Sequence, residues 1–346
     1  MPGRNEFPEL AHAYDKRRLT LDWVAATKII FRVAQNLHRG VDGTVKLGHA
    51  CNNHCLFCAA EWNKRHGDRD TAAVLGEVER ILSEDKIDRM VYTGGEPTIR
   101  RDLPEILRHV KKLGFDVQHI QTNGRRLGDQ SYLESLRDAG LTSCFVSIHG
   151  PQPSIHDELT RSTGAFGQTC QGLANLHRLG MRFFTNTVIC KQNYRLLSEI
   201  VSFIARTFPS VVQIKLTYPR LQGGAADNLS QGIAPVWDVA PFVRAAIDKA
   251  AALGANIETE FMPLCLLGPT CDRADNFYRT RVHLSDIHWT DPDYVRPLGK
   301  IFYEACEPCD LRNQCFGIDT LHHEAFGENP CFKPVSFADL AHSEAG

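Results

Sequence analysis

The stretch Thr44–Cys58, TVKLGHACNNHCLFC, begins as a short apolar β-like run and ends with three cysteines within eight residues. These cysteines, Cys51, Cys55 and Cys58, have the spacing C-x3-C-x2-C. Three thiols neither complete a tetrahedral metal site nor saturate a four-iron cluster, so a fourth ligand has to come from elsewhere. The fourth ligand therefore comes from another part of the chain or from a bound small molecule.

Outward from this stretch, short β-rich apolar runs alternate with helical stretches as far as Gly254. The candidate strands occupy residues 44–49, 87–95, 115–123, 142–150, 181–189 and 211–219. Regular alternation of strand and helix implies parallel pairing through right-handed crossovers. The sequence therefore predicts an α/β fold, a partial (β/α)6 TIM-like barrel, with its active site at the carboxyl ends of the strands. The cysteines follow the first strand directly and fall at that end.

The composition changes on both sides of the predicted barrel. Residues 19–40 have helical periodicity and a Gly stop, which is typical of an appended helix. After about residue 255 helical periodicity fades, and six of the twelve cysteines lie in this last part. We therefore predict an N-terminal helical extension over 1–43, the barrel over 44–255 and a small irregular C-terminal domain over 256–346.

Charge and hydropathy exclude several function classes. The net charge of −2 gives no basic field for nucleic acid. The N-terminus lacks the apolar core of a signal peptide, and no apolar run approaches the ~20 residues of a membrane span. We expect a cytoplasmic protein without a membrane partner. In that compartment twelve cysteines indicate metal binding or redox work more than a disulfide framework.

Three more motifs lie at predicted strand ends: TGGEP (93–97), QTNG (121–124) and SIHGPQPSIHDELTRSTGAFG (147–167). Together with the cysteine triplet they resemble the signature of the radical S-adenosylmethionine (SAM) superfamily. The resemblance implies that Cys51, Cys55 and Cys58 hold a 4Fe-4S cluster and that SAM occupies the open iron. It places these residues at the cofactor: Phe57, Gly94, Gly95, Glu96, Asn123, Ser147 and Arg161.

Particular roles follow from the same resemblance. The glycine motif would hold the amino group of SAM, Ser147 its ribose and Arg161 its carboxylate, a role that suits the planar guanidinium. His149 stands where the SPASM-containing branch of this superfamily usually has Asp, and it is either a substrate-side residue or a strand-end histidine bonded locally. The implied chemistry is reductive cleavage of SAM to a 5′-deoxyadenosyl radical that abstracts hydrogen, with a flavodoxin- or ferredoxin-type reductant.

A second cysteine group lies in the C-terminal segment. Cys306, Cys309 and Cys315 have the spacing C-x2-C-x5-C, which on its own also suits a zinc ribbon. Behind such a barrel it resembles the SPASM or twitch extension, which houses auxiliary 4Fe-4S clusters held by four thiolates. Six candidate thiols are too few for two such clusters, so we predict one auxiliary 4Fe-4S cluster, with Cys265 as the preferred fourth ligand. Cys271, Cys331 and Asp319, which replaces the cysteine of a full SPASM tail, stay open as alternatives.

Two function classes follow. The first is a radical SAM oxidoreductase or related enzyme, with a ribosomally made peptide as the preferred substrate and a small metabolite (sugar, cyclitol or antibiotic precursor) as the alternative. Both substrates belong to natural product biosynthesis. The second class is a non-catalytic iron-sulfur or zinc-binding protein. TGGEP, Ser147 and Arg161 favour the enzyme, because an electron carrier has no need of SAM-binding groups. Lys215 and Tyr218, near the end of the sixth strand, are candidates for substrate or SAM contact.

Overall fold

The computed structural model describes residues 42–60, 68–84, 87–275, 282–285, 300–313, 315 and 317–336. The predicted N-terminal extension over 1–43 lies outside these ranges except for its last two residues. The site residues predicted from the sequence all lie inside them.

One parallel sheet dominates the described residues. Its strands are Asp42–Lys46 (β1), Arg89–Thr93 (β2), Gln118–Thr122 (β3), Leu141–Ser147 (β4), Arg182–Val188 (β5), Gln213–Thr217 (β6), Ile257–Glu260 (β7), Ala274–Asp275 (β8) and Val282–Ser285 (β9). Their order across the sheet is β8-β7-β6-β5-β4-β3-β2-β1-β9. The predicted partial barrel is confirmed, and its six predicted strands correspond to β1 to β6 with boundaries that differ by a few residues.

Helices connect the strands and cover the outside of the sheet. They are Thr71–Glu84 (α1), Leu103–Lys112 (α2), Gln130–Ala139 (α3), Pro153–Thr160 (α4), Ala165–Arg178 (α5), Leu197–Thr207 (α6), Gly224–Asp227 (α7), Leu229–Gly232 (α8) and Val236–Ala252 (α9). Capping residues and glycines mark the ends of some of these helices. In α3, for example, Asp129 accepts the amide of Tyr132 at the N-terminus, and Gly140 follows the last turn with φ of 123°.

The two faces of the sheet differ in polarity. In β6, Ile214 and Leu216 are buried, whereas Gln213 and Lys215 are only half-buried. Because successive side chains of a strand point to opposite faces, the first pair belongs to the helix-covered core and the second pair to the concave face of the barrel. The Lys215 ammonium lies 5.8 Å from the ring of Phe145, which is also half-buried. The barrel interior is therefore partly polar and accessible.

The sheet continues beyond residue 255. Strand β7 pairs with β6 and β8 pairs with β7, both in parallel. After them come the short helices Leu264–Leu267 (α10) and Thr320–Phe326 (α11) and a two-stranded antiparallel sheet of Lys300–Ile301 (β10) and Ile318–Asp319 (β11). None of the described helices has the length and apolarity needed to cross a membrane.

Candidate active site

The first thiol group, Cys51, Cys55 and Cys58, lies on the loop that follows β1 at the carboxyl edge of the sheet. The loop docks on the end of α4, where the amides of His54 and Leu56 donate to the carbonyls of Thr160 and Leu159, each at 2.9 Å. The last carbonyls of a helix have no partner within the helix, so α4 offers them to the loop. The loop conformation is thus set by the end of an element far along the chain.

Gly94 and Gly95 support the opposite side of this loop. The amide of Gly95 donates to Gly48 at 2.8 Å, and that of Glu96 donates to Ala50 at 2.8 Å. A Cβ atom at either glycine would overlap the Gly48 or Ala50 carbonyl, and Gly94 has φ of 126°. The absence of a side chain at these glycines therefore lets the backbone after β2 approach the cysteine loop closely. Approach to a ligand is the reason that the sequence motif had indicated for them.

A third contact comes from the loop after β6, which the sequence reasoning had not included. The amide of Gly224 donates to the Cys58 carbonyl at 2.8 Å, and a Cβ at Gly223 would lie 2.6 Å from that oxygen. Asn228 donates to the Leu56 carbonyl at 3.1 Å and accepts from the Arg161 guanidinium at 2.8 Å. The Gly-Gly pair in the loop after the sixth strand was the sequence signal for this contact.

The side chain of Glu96 is buried and accepts hydrogen bonds within the protein. The carboxylate is 3% exposed and accepts from the Thr98 amide and hydroxyl, the Thr122 hydroxyl and the Asn123 amide, at 2.5 to 3.0 Å. Burial raises the pKa of Glu96, and these hydrogen bonds oppose that rise. The side chain joins the end of β2 to the end of β3, so only the Glu96 backbone can face a bound cofactor.

Asn123 and Arg125 connect the end of β3 to the cysteine loop. Asn123 donates to the Asn52 side chain at 2.6 Å. Arg125 donates to the Asn53 side chain at 2.8 Å and to the Asn52 carbonyl. The Asn53 amide in turn points to the Cys51 sulfur at 3.4 Å. Arg125 was not predicted, because its partners lie more than seventy residues away in the chain.

The remaining predicted cofactor residues differ in accessibility. Ser147 ends β4 half-buried, and within the described part of the chain its hydroxyl has no hydrogen-bond partner. Arg161 stands just beyond α4 with φ of 49° and reaches towards the cysteine loop through Asn228. Phe57 is buried, with its ring 4.7 Å from that of His149. Ser147 and Arg161 can therefore meet a ligand, whereas Phe57 packs beneath the loop.

His149 belongs to the buried layer under Phe57. It is 2% exposed, its ring stacks on His156 at 5.5 Å, and its Nδ1 accepts the Val188 amide at 3.2 Å. Burial lowers the pKa of His149 well below the usual value. Of the two readings of this residue, the locally bonded histidine agrees with its surroundings.

The second thiol group lies in one cavity of the C-terminal segment. It consists of Cys265, Cys306, Cys309 and Cys315, and the same cavity is lined by apolar side chains that include Leu264, Leu311 and Phe332. Burial, with a smaller contribution from the three neighbouring thiols, raises the pKa of Cys265 to about 12. A thiol with a pKa this high stays protonated at neutral pH unless a metal displaces its proton, because coordination to a metal ion deprotonates a thiol.

Backbone amides point at the sulfurs of this group. The amides of Leu264 and Gly317 approach the Cys315 sulfur at 3.5 and 3.4 Å, and that of Val335 approaches the Cys309 sulfur at 3.4 Å. Hydrogen bonds of this kind stabilise thiolate charge and tune iron-sulfur centres. Among the described residues no three His, Cys, Asp or Glu side chains converge as ligands of a single ion. In a four-iron cluster each thiolate binds a different iron, so a cavity lined by four thiols suits it.

The alternative ligands lie elsewhere. Asp319 does not line the thiol cavity, and its carboxylate accepts the Leu321 amide at 2.8 Å at the start of α11. Cys331 and Cys271 also do not line it, and Cys271 is buried.

Tyr218 is buried and donates to the Ala234 carbonyl at 2.7 Å, so its hydroxyl is already used. Lys215, on the concave face, is the more accessible of the two predicted contacts.

Comparison with known proteins agrees with this arrangement. The family model of the Radical SAM superfamily matches residues 45–204. The chain is 32% identical over 163 residues to a probable GTP 3′,8-cyclase from Sulfolobus acidocaldarius, covering 47% of this chain and 51% of that protein. It is 30% identical over 159 residues to an AdoMet-dependent heme synthase from Oleidesulfovibrio alaskensis, covering 44% of this chain and 39% of that protein.

Solved structures share the fold. Streptococcus suis SuiB bound to its precursor peptide SuiA aligns with a TM-score of 0.54 at 17% identity, covering 74% of this chain and 58% of SuiB. The chain spans about half the length, or less, of the curated relatives named above. The family model thus matches residues 45–204, and the structural match shows the architecture of the barrel.

Proposed function

We propose that this chain is a radical SAM enzyme with a SAM-binding 4Fe-4S cluster and one auxiliary 4Fe-4S cluster. The match of the Radical SAM family model to residues 45–204 supports the SAM-binding part of this proposal. The bound cluster and SAM would together supply the 5′-deoxyadenosyl radical. The protein would supply the ligands, the orientation of SAM and the enclosure. The observation that carries the proposal is the cysteine loop, which is braced by backbone hydrogen bonds to β2, α4 and the loop after β6.

The proposed first centre uses Cys51, Cys55 and Cys58. The contacts that brace the loop fix the thiols before any cluster binds, so three of four cluster positions are preorganised and one is left for SAM. Ser147 and Arg161, both accessible from this edge, are the proposed contacts for the ribose and the carboxylate of SAM. The backbone around Gly94 to Glu96 is the proposed contact for its amino group.

The proposed second centre uses Cys265, Cys306, Cys309 and Cys315. Its support is that these thiols line one cavity and that amides point at two of their sulfurs. An apolar shell limits water access, which is one of the ways in which a protein tunes a cluster potential. We propose that this centre exchanges an electron with substrate or binds it directly.

The substrate class stays a proposal with two forms. A peptide is the preferred substrate, because the cysteine-rich C-terminal segment resembles the extension of peptide-modifying enzymes. A small metabolite is favoured by the names of the sequence relatives, a GTP 3′,8-cyclase and a heme synthase, neither of which is named for a peptide. Matched substrate panels would separate these forms once SAM cleavage has been established.

The test is SAM cleavage by anaerobically reconstituted protein with dithionite, followed by chromatography for 5′-deoxyadenosine. We expect release of the nucleoside by the natural chain and none above background for Cys55→Ala. The matched control is Cys170→Ala on α5, a half-buried thiol away from the loop, which should retain activity. Equal release by Cys55→Ala and the natural chain would refute the first centre.

A further inference from the structure

A small cavity separates the barrel from the C-terminal segment. It is lined by Tyr218 and Arg220 after β6, Phe261 after β7, and Asp319 and His322 of the last part of the chain. The guanidinium of Arg220 lies 5.9 Å from the centre of the Phe261 ring. Phe261 has φ of 60°, a conformation that a bulky residue rarely adopts. The backbone after β7 is therefore held in an uncommon shape where this cavity forms.

His322 presents a buried donor to this cavity. Its Nε2 accepts the Val236 amide at 3.0 Å, so Nε2 carries no proton. Burial lowers the pKa of His322 to about 4, and the neutral ring therefore carries its proton on Nδ1. The residue is 1% exposed, and Nδ1 has no hydrogen-bond partner in the described part of the chain. A buried donor without an acceptor is destabilising, so a ligand that accepts a hydrogen bond from it would be stabilised.

Arg220 supplies a second donor and a positive charge. Its Nε is buried without a hydrogen-bond partner, and the described residues form no ion pair with its guanidinium. Asp319 and Glu260 lie near enough to act on it electrostatically. Their carboxylates nevertheless accept from other groups, Asp319 from the Leu321 amide and Glu260 from the Thr217 hydroxyl at 3.1 Å. The cavity thus combines a cation and two unsatisfied donors.

We propose that Arg220 and His322 form a binding site for a carboxylate group of the substrate. A guanidinium grips a planar carboxylate through two parallel hydrogen bonds, and the Nδ1 of His322 provides a third donor. The apolar walls, Val236 and Pro263 among them, suit the flat carboxylate better than a hydrated phosphate. This inference deepens the proposed function and depends on it only for identifying the carboxylate with the substrate.

The position of the cavity agrees with that role. Gly223, three residues after Arg220, packs on the Cys58 carbonyl beside the first thiol group. Pro263, Gly317 and Ile318 line both this cavity and the cavity of the second thiol group. A carboxylate bound here would therefore lie next to the second thiol group, on a chain segment that also contacts the loop of the first.

The experiment is equilibrium dialysis of reconstituted full-length protein against radiolabelled acetate at constant ionic strength. We expect one acetate per chain and a loss of affinity of about tenfold or more in Arg220→Gln, since hydrogen bonds to charged groups have that magnitude. Arg220→Lys keeps the charge but not the fork, so its affinity should lie between the two. The control is Arg137→Gln, an exposed residue of α3 whose partner is Asp138, which should bind acetate normally.

Iron content and circular dichroism of Arg220→Gln equal to those of the natural chain would show that the variant is folded. Absence of acetate binding by the natural chain, or equal binding by Arg220→Gln, would overturn the site and indicate that Arg220 turns to pair with Asp319 or Glu260.

Triglycine and its C-terminal amide distinguish the sources of the carboxylate. Tighter binding of the triglycine acid than of acetate indicates a peptide carboxylate, and weaker binding indicates a small acid. Acetate binding does not require SAM cleavage, so each proposal can fail without the other.

Discussion

The two thiol groups of this chain are held in different ways. The first lies on a loop whose backbone bonds to β2, to the end of α4 and to the loop after β6. The second lies among short elements, with β10 and β11 of two residues each and α10 of four. The barrel therefore shapes the first group in advance, whereas the second depends on its own ligands for order. Small irregular domains of this kind commonly gain their folding free energy from the metal that they bind.

The largest expected effect is on the second group. Replacing Cys309 by Ala removes one of the four proposed thiolate ligands and should lower the iron content by about half, because only the proposed auxiliary cluster would be lost. We also expect faster proteolysis of the segment after residue 300, while cleavage of SAM continues. Iron analysis and limited proteolysis measure the two effects.

The matched control is Cys331→Ala, since Cys331 lies outside the cavity of the second group. It should keep its iron. If Cys331→Ala loses as much iron as Cys309→Ala, the assignment of Cys265 as the fourth ligand is wrong.

The next effect concerns the preorganised loop. Replacing Gly95 by Ala places a methyl group against the Ala50 carbonyl, so the loop must move. We expect a loss of about 3 kcal/mol of unfolding free energy together with weaker binding of the first cluster. Gly76→Ala is the control, because a Cβ there meets nothing within 4 Å, and it should stabilise α1 by about 0.5 to 1 kcal/mol. Equal stability of the two variants in denaturant titrations would contradict the close approach.

Acid should weaken both regions through their buried neutral histidines. Burial lowers the pKa of His156, near the first group, and of His322, near the second, to about 4 in each case. The unfolded chain binds these protons near the ordinary pKa of about 6.5, so stability is complete above that pH and is lost as the pH falls towards 4. We expect each histidine to cost about 1 to 2 kcal/mol by pH 5. A denaturation midpoint that does not change between pH 7 and pH 5 would be inconsistent with neutral buried rings.

The smallest effect tests the role of Glu96. Replacing it by Gln puts an amide group where a buried carboxylate oxygen accepts hydrogen bonds, so one donor faces another. We expect a loss of about 1 kcal/mol in stability, the lower end of the cost of leaving a buried polar group unpaired. The dissociation constant of SAM should change little, since only the Glu96 backbone faces the cofactor side. A large rise in that constant without loss of stability would assign the side chain to cofactor binding instead.

Some features could be predicted from the sequence because they depend on local pattern. The six strands follow from apolar runs between helical stretches, and the placement of the cysteines follows from their position directly after β1. Strand β7 could not be found in this way, since IETE alternates within a segment whose composition indicated a change of domain. The domain boundary predicted near residue 256 stays a prediction, and β7 and β8 continue the sheet past it.

Other features depend on contacts between distant parts of the chain. The motif TGGEP indicated a cofactor site, yet the partners that bury the Glu96 carboxylate come from β3. No local pattern singles out Arg125 or Arg220, because their surroundings exist only in the folded chain. His322 was visible as part of LHHE, but its tautomer is set by the amide of Val236, eighty-six residues earlier.

The most direct test of the account is the iron and acid-labile sulfide content per chain after anaerobic reconstitution. Two four-iron clusters predict about eight iron and eight sulfide, falling to about four of each when Cys51, Cys55 and Cys58 are all replaced by Ala. Tightly bound zinc, or iron that does not depend on these cysteines, would contradict the assignment of the first thiol group as a cluster site.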